Sequence, residues 1–316
     1  MKKGNKLAIS LIAFFGALVG TTTTSTLAWF QTMNVVKLDL DNLVVYNDDG
    51  NLAMVAYPVE NHGTDGMNIP LVRDPYSKVE VTYDDKNIAD CSGDGRKFYR
   101  PEFDPMYSAK THASKIHEVH NAKSIAGLES EDIYYVQIGL RLYNQGTADM
   151  GIYLGHQSYV APVSSNNPTQ YKKNQDCVDH FRVAVWDGDL GQDEVMNFTA
   201  ATTPNMVWQP NANADSSYLR EAEDEDHDGD LYDDYLASFD DTDYFKKGAL
   251  ERVPTDAEDL PGDPYKVQRC ATIPGLGYKD VVISFWFDGA MQDIQNASIE
   301  GVAHINLAFN AIYRRG

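Results

Sequence analysis

The side chains with the most definite chemistry lie together, in the run Asp224-Glu225-Asp226-His227-Asp228-Gly229-Asp230-Leu231-Tyr232-Asp233-Asp234-Tyr235. Carboxylates alternate at its first, third and fifth positions, Gly229 stands where the loop must turn sharply, and Asp230 offers a backbone carbonyl at the seventh. This is the first half of a Ca²⁺ loop, in which hard oxygen donors meet a hard cation. The twelfth position, which should close the loop with a bidentate carboxylate, is Tyr235, and Asp233 and Asp234 just before it are the substitutes. Asp224, Asp226, Asp228, Asp230, Asp233 and Asp234 are therefore expected to hold a structural Ca²⁺, because so dense a set of like charges repels itself without a cation. A solvated acidic loop inside the longer run from Glu221 to Asp243 is the competing reading.

The histidines point less far. His112, His117 and His120 cluster, and His117-Glu118-Val119-His120 invites comparison with a zinc-protease helix. That helix needs ligands at i and i+4, whereas this spacing is i, i+3, so a polar surface turn is expected. No G-x-S-x-G elbow and no glycine-rich phosphate loop is present, and the cysteines carry no catalytic signature. Close carboxylates in so acidic a chain say nothing about glycosidase chemistry. No catalytic residue is assigned.

Composition sets the setting for these groups. The formal charge of −21 becomes three units more negative if Lys2, Lys3 and Lys6 are removed with an N-terminal signal. A nucleic-acid or anionic-membrane partner is then electrostatically disfavoured and divalent cations are attracted. Cys91, Cys177 and Cys270 are odd in number and widely spaced, so at most one pair can form and no metal motif is legible.

The compartment is read from Leu7 to Phe30. Behind the basic n-region, Leu7 to Gly20 is an apolar run too short for an ordinary spanning helix and suited to a signal-peptide h-region. Thr26-Leu27-Ala28 places small residues at −3 and −1 of a cut after Ala28, so the mature chain is expected to begin Trp29-Phe30 and to be secreted. An uncleaved anchor would need a thin or tilted segment through Thr21 to Thr26. On the signal reading the chain meets a membrane only through this segment before cleavage.

The remaining 288 of the 316 residues read as strands and loops. Val36, Leu38 and Leu40 alternate with charged residues. Leu43 to Tyr46 and Leu52 to Tyr57 flank Asn47-Asp48-Asp49-Gly50-Asn51 and are predicted to form a hairpin. Val79 to Tyr83 alternates again. Tyr134, Val136, Ile138, Leu140 and Leu142 make the clearest strand, with Gln137, Gly139 and Arg141 opposite, stopped at Asn144-Gln145-Gly146-Thr147. Phe181 to Trp186, Val281 to Phe287 and Val302 to Phe309 complete the set. Ser108 to Ser124 is read as carrying a short helix, and Asp187 to Pro264 as a long acidic insertion poor in strand signal. With no repeat of fixed period, the pattern predicts an all-β fold: a single jelly-roll-like β-sandwich domain over 29–316, with long loop insertions and that one short helix.

Several of these stretches resemble the TasA/camelysin family of secreted proteins. The signal ending Leu27-Ala28-Trp29-Phe30 is similar to that family's, as are Val136 to Thr147 with its Asn-x-Gly-Thr turn, Phe181-Arg182-Val183-Ala184-Val185-Trp186, and the pair Val282 to Gly289 and Ile305 to Phe309, where the family's usual Glu-Gly is Asp288-Gly289. The resemblance covers well under half of the chain. It implies an exported jelly-roll-like sandwich, processed by a dedicated signal peptidase, that in some members assembles into matrix fibres in which an N-terminal strand completes the next subunit. It also implies an alternative, a secreted metallo-endopeptidase, since camelysin-like proteins have been described so.

The residues allow the assembly by themselves. A strand just after the cleavage point, with Trp29, Phe30, Val35, Val36, Leu38 and Leu40 as its apolar members, could give main-chain hydrogen bonds to a second copy's open edge. It could equally be the first strand of its own sheet. Three function classes follow: a structural surface or matrix protein whose partner is itself, a secreted hydrolase, and a Ca²⁺-dependent adhesin.

Overall fold

The computed structural model describes residues 35–46, 52–59, 86–103, 113–120, 132–213, 215–221, 235–251, 269–289 and 301–313. In chain order these form β1 (Val35–Tyr46), β2 (Leu52–Tyr57), β3 (Lys86–Ala89), β4 (Ser92–Gly93), β5 (Phe98–Phe103), β6 (Ala113–Glu118), β7 (Asp132–Ile133), β8 (Tyr135–Asn144), β9 (Met150–Leu154), β10 (Tyr159–Pro162), α1 (Pro168–Val178), β11 (Phe181–Leu190), β12 (Met196–Phe198), β13 (Met206–Gln209), β14 (Ser217–Leu219), β15 (Leu236–Ser238), β16 (Phe245–Lys247), β17 (Arg269–Ile273), β18 (Tyr278–Phe287) and β19 (Val302–Tyr313). The fold is all-β.

Two seven-stranded sheets carry it. The first runs β17-β9-β19-β1-β3-β7, with β10 also on β19, and the second β16-β13-β11-β18-β8-β2, with β12 also on β11. Period-two alternation explains their packing. Val136, Ile138, Leu140 and Leu142 of β8, Val183 and Val185 of β11 and Ile283 and Phe285 of β18 leave the second sheet on one face. They meet Ile305, Leu307 and Phe309 of β19 and Ile152 and Leu154 of β9 in one apolar core.

The other face of the second sheet is covered as well. Ala184, Trp186, Val282, Trp286 and Tyr135 pack there against Cys91, Phe98, Val119, Met196 and Phe239. These come from the segments between β3 and β7 and between β11 and β17, which also form a three-stranded sheet β4-β5-β6 and the pair β14-β15. The second sheet is thus the middle of three layers. Gln137 and Gly139 of β8, read from the sequence as the polar side of a half-buried strand, lie beneath the third layer, with Gln137 fully buried.

Three further expectations are corrected. Residues 43–57 do not form a hairpin: β1 belongs to the first sheet and β2 pairs with β8 in the second. An Asp-Gly turn reverses the chain equally well within a sheet or between two sheets, and the apolar β2 finds more to bury beside β8. The described part of 108–124 is strand β6, paired with β5, where Tyr99 faces Glu118 and Arg100 faces His117. The helix lies instead at α1, where Pro168 takes the first turn and the Asn167 side chain accepts the Thr169 N–H at 3.0 Å. Finally, 187–264 is not poor in strands, for β13 and β16 extend the second sheet along β11. Val79 to Tyr83 lies outside the described residues.

Candidate functional site

β1 occupies a slot. It pairs in parallel with β19 from Lys37↔Val302 to Tyr46↔Asn310, with a register shift between Leu40 and Asn42. On its other side it pairs antiparallel with β3, from Val35↔Ala89 to Leu38↔Lys86. Among the described strands it is the sole hydrogen-bonded link between β19 and the β3-β7 edge. Beside it, Ile305, Leu307 and Phe309 of β19 and Ile88 and Ala89 of β3 are completely buried, with polar residues such as His304, Asn306 and Asn87 next to them in sequence. Of the assembly residues expected from the sequence, Val35, Val36, Leu38 and Leu40 lie in this strand, whereas Trp29 and Phe30 lie outside the described residues.

All six expected Ca²⁺ ligands, Asp224, Asp226, Asp228, Asp230, Asp233 and Asp234, also lie outside the described residues. The flanks of their segment do not. Leu219 of β14 faces Leu236 of β15, and the Arg220 N–H donates to the Tyr235 carbonyl at 2.7 Å, so residues 222–234 connect two paired strands. Of the histidines, His112 is outside the described residues, and His117 and His120 sit exposed and half-buried at the end of β6, with His120 Nε2 4.0 Å from Glu118 Oε1. Among the described residues no three His, Cys, Asp or Glu side chains converge as metal ligands would. Cys91, Cys177 and Cys270 are buried thiols, none of them in a disulfide. Burial pushes the Cys91 thiol well above its usual pKa and those of Cys177 and Cys270 up to about 12, which leaves them inert.

The densest polar arrangement was not singled out from the sequence. Arg182, completely buried on the covered face of β11, donates from Nη1 to Asp288 Oδ2 at 2.8 Å and from Nε to Gln209 Oε1 at 2.9 Å. Its remaining donors reach the Ser217 and Asp215 carbonyls at 2.9 and 2.6 Å. Asp288 also accepts from Trp286 Nε1 at 2.8 Å and from the Ser92 hydroxyl at 3.1 Å, and Ser92 in turn receives the Leu219 N–H at 3.0 Å. Burial lowers the Arg182 pKa while Asp288 opposes the shift, and the guanidinium keeps its proton as arginine does in proteins. The bonds from Arg182 to the Ser217 and Asp215 carbonyls and from Ser92 to Asp288 tie β11 and the end of β18 to the third layer, while those joining Arg182 to Gln209 and Asp288 run within the middle sheet. Next to it, His180 is buried against Phe287, and burial together with the Arg182 charge lowers its pKa to about 3.

A second latch lies at the centre of the same face. The turn Asp94 to Lys97, held by Asp94 Oδ1 accepting the Arg96 and Lys97 N–H groups at 2.8 Å, brings Gly95 onto the sheet. Its carbonyl accepts from Gln137 Nε2 at 3.1 Å and from the Ser284 hydroxyl, while Trp186 Nε1 donates to the Asp94 carbonyl at 3.1 Å. Gly95 has φ +90°, and a Cβ there would come within 2.3 Å of Ala184 Cβ, so only glycine fits.

Where the third layer ends, the face becomes wet. Arg141 and Asp280, directly opposite on β8 and β18, form a bidentate pair at 2.7 Å beneath the half-exposed ring of Tyr278. A cleft of about 370 Å³ lies at the sandwich edge among Asp187, Asn205, Arg269 to Thr272 and Lys279, where Lys279 Nζ contacts Asp187 at 2.9 Å. Both sets of charges are internally satisfied cross-strand pairs. The sequence signal that could have found the buried network was an arginine inside the apolar strand Phe181 to Trp186, and an Asp-Gly closing the strand that pairs with it. No family model, curated protein or solved structure matches this chain.

Proposed function

We propose that the protein is a secreted structural subunit of a cell-surface or extracellular-matrix filament, in which β1 of one copy fills the slot between β19 and β3 of the next. The observation that carries this reading is the place of β1: among the described strands it alone bridges β19 and β3, and it is hydrogen-bonded to no described strand of the second sheet. A strand bonded to its neighbours by backbone groups can be supplied by a second copy with the same hydrogen bonds it makes at home. Exchange of an identical element therefore costs little. Donation from each copy to the next, unlike mutual exchange, leaves a free strand and a free slot at the two ends and so grows an open filament. The jelly-roll-like connection of the sandwich and its export follow the family that the sequence resembles. A Ca²⁺ held by the acidic segment 222–234 would tie the β14-β15 pair, as a structural ion.

Electron microscopy of the mature chain, compared with a chain lacking 29–46, tests this. Filaments from the mature chain are expected, with none from the truncated chain, and a synthetic peptide of residues 35–46 should bind the truncated chain and restore its melting temperature. Filaments formed without residues 29–46 would overturn strand donation.

A further inference from the structure

We infer that Asn197 is a glycan attachment site, the acceptor of an N-linked oligosaccharide; the inference rests on the export reading. Asn197-Phe198-Thr199 is an N-x-Thr sequon whose middle residue is not proline. The structure presents it as such a site requires. Met196 and Phe198 point inward from β12: Met196 is fully buried and fills the space left by Gly139 and Gly188, where an added Cβ would come within 2.5 and 2.8 Å of it. Phe198 packs edge-on against Trp186 with ring centroids 6.1 Å apart, and the Arg96 guanidinium lies 5.4 Å from its ring. Period-two geometry then turns Asn197 and Thr199 together to the opposite side, where both are half-buried. The Thr199 N–H continues the ladder onto the Asp187 carbonyl at 3.2 Å, which keeps the tripeptide extended through its third residue.

The surroundings leave room for a sugar chain. The Asn197 amide makes one long bond of 3.4 Å, to the Val195 carbonyl, and so is not engaged in the buried networks on the other side of the strand. Gln192, Asp193 and Glu194 before the sequon and Ala200, Thr202 and Thr203 after it are exposed. A glycan on Asn197 would extend from this rim into solvent without disturbing Met196 or Phe198. In the transfer, the Asn197 amide nitrogen bonds to the anomeric carbon of a sugar carried on a polyprenyl phosphate or diphosphate. The carbon–oxygen bond to phosphate breaks, the phosphate leaves with that electron pair, and the displaced amide proton passes to base. A second sequon, Asn296-Ala297-Ser298, lies outside the described residues and adds nothing to the argument.

The test is mass spectrometry of peptides from the protein secreted by the cell that naturally makes it, with the N-terminal peptide read in the same digest. A ladder of hexose or N-acetylhexosamine increments on Asn197 is expected. It should be lost in Asn197→Gln and Thr199→Ala, and kept in Thr199→Ser. An unmodified Asn197 in chains beginning at Trp29 overturns the glycan and leaves export standing. An unmodified Asn197 in chains that retain Met1 and remain inside the cell overturns both, and increments that survive Thr199→Ala overturn the sequon as their cause.

Discussion

The two faces of the middle sheet are built from the same strands and held by different physics. On one face Val136, Ile138, Leu140, Val183, Ile283 and Phe285 meet the first sheet through apolar contact, which is non-directional and tolerant of small shifts. On the other, Arg182, Gln137, Ser284, Asp288 and the indole N–H of Trp186 meet the third layer through hydrogen bonds of fixed geometry. The first face sets that two sheets pack; the second sets which loops cover the sheet and in what register. A polar residue on an alternating strand therefore marks either water or a latch.

Three experiments sharpen this contrast. The largest effect is expected from Asp288→Asn, which leaves the Arg182 charge buried without its partner. Loss of about 3–5 kcal/mol in urea unfolding should follow, comparable to Leu140→Ala on the apolar face at about 2–5 kcal/mol. A loss below about 1 kcal/mol, the value of an exposed ion pair, would mean that the third layer does not cover this face.

The next effect comes from pH. The His180 pKa is held near 3 in the folded state, so between the unfolded value of about 6.5 and that figure the unfolded chain binds the extra proton. Stability from this residue is full above the window and falls as the pH drops through it, by up to about 1.4 kcal/mol per unit. His180→Gln should flatten that part of the profile, and a wild-type slope retained in the variant would remove His180 as its source. The smallest is Gly95→Ala. The positive φ and the Ala184 contact predict a loss of about 1–3 kcal/mol, read as a lower melting temperature, with the Leu140 side of the sheet unaltered. No loss would mean that the 94–97 turn is not seated on the sheet.

Much of this was legible in the chain. Alternation located β8 and β19 with their apolar sides, because burial against a second sheet imprints a period of two, and apolar runs marked β11 and β18. It placed β1 and the stop after β8, where Asn144 Oδ1 accepts the Gly146 N–H at 2.9 Å, a bond between near neighbours that composition encodes directly. The partners were not legible. Whether Asp48-Asp49-Gly50 joins two strands of one sheet or of two, whether β1 pairs with β2 or with β19, and whether Gln137 and Arg182 face water or a third layer all depend on contacts between residues far apart in sequence. Arg182 and Asp288 are separated by 106 positions and Ser92 and Asp288 by 196. The sequence by itself thus determined β1, β2, β8, β11, β18 and β19, since each is a local pattern that the shorter strands do not carry. Only the tertiary structure decided the pairing, the covering layer and the slot for β1, since these are settled by which distant groups satisfy one another's hydrogen bonds and charges once water is excluded.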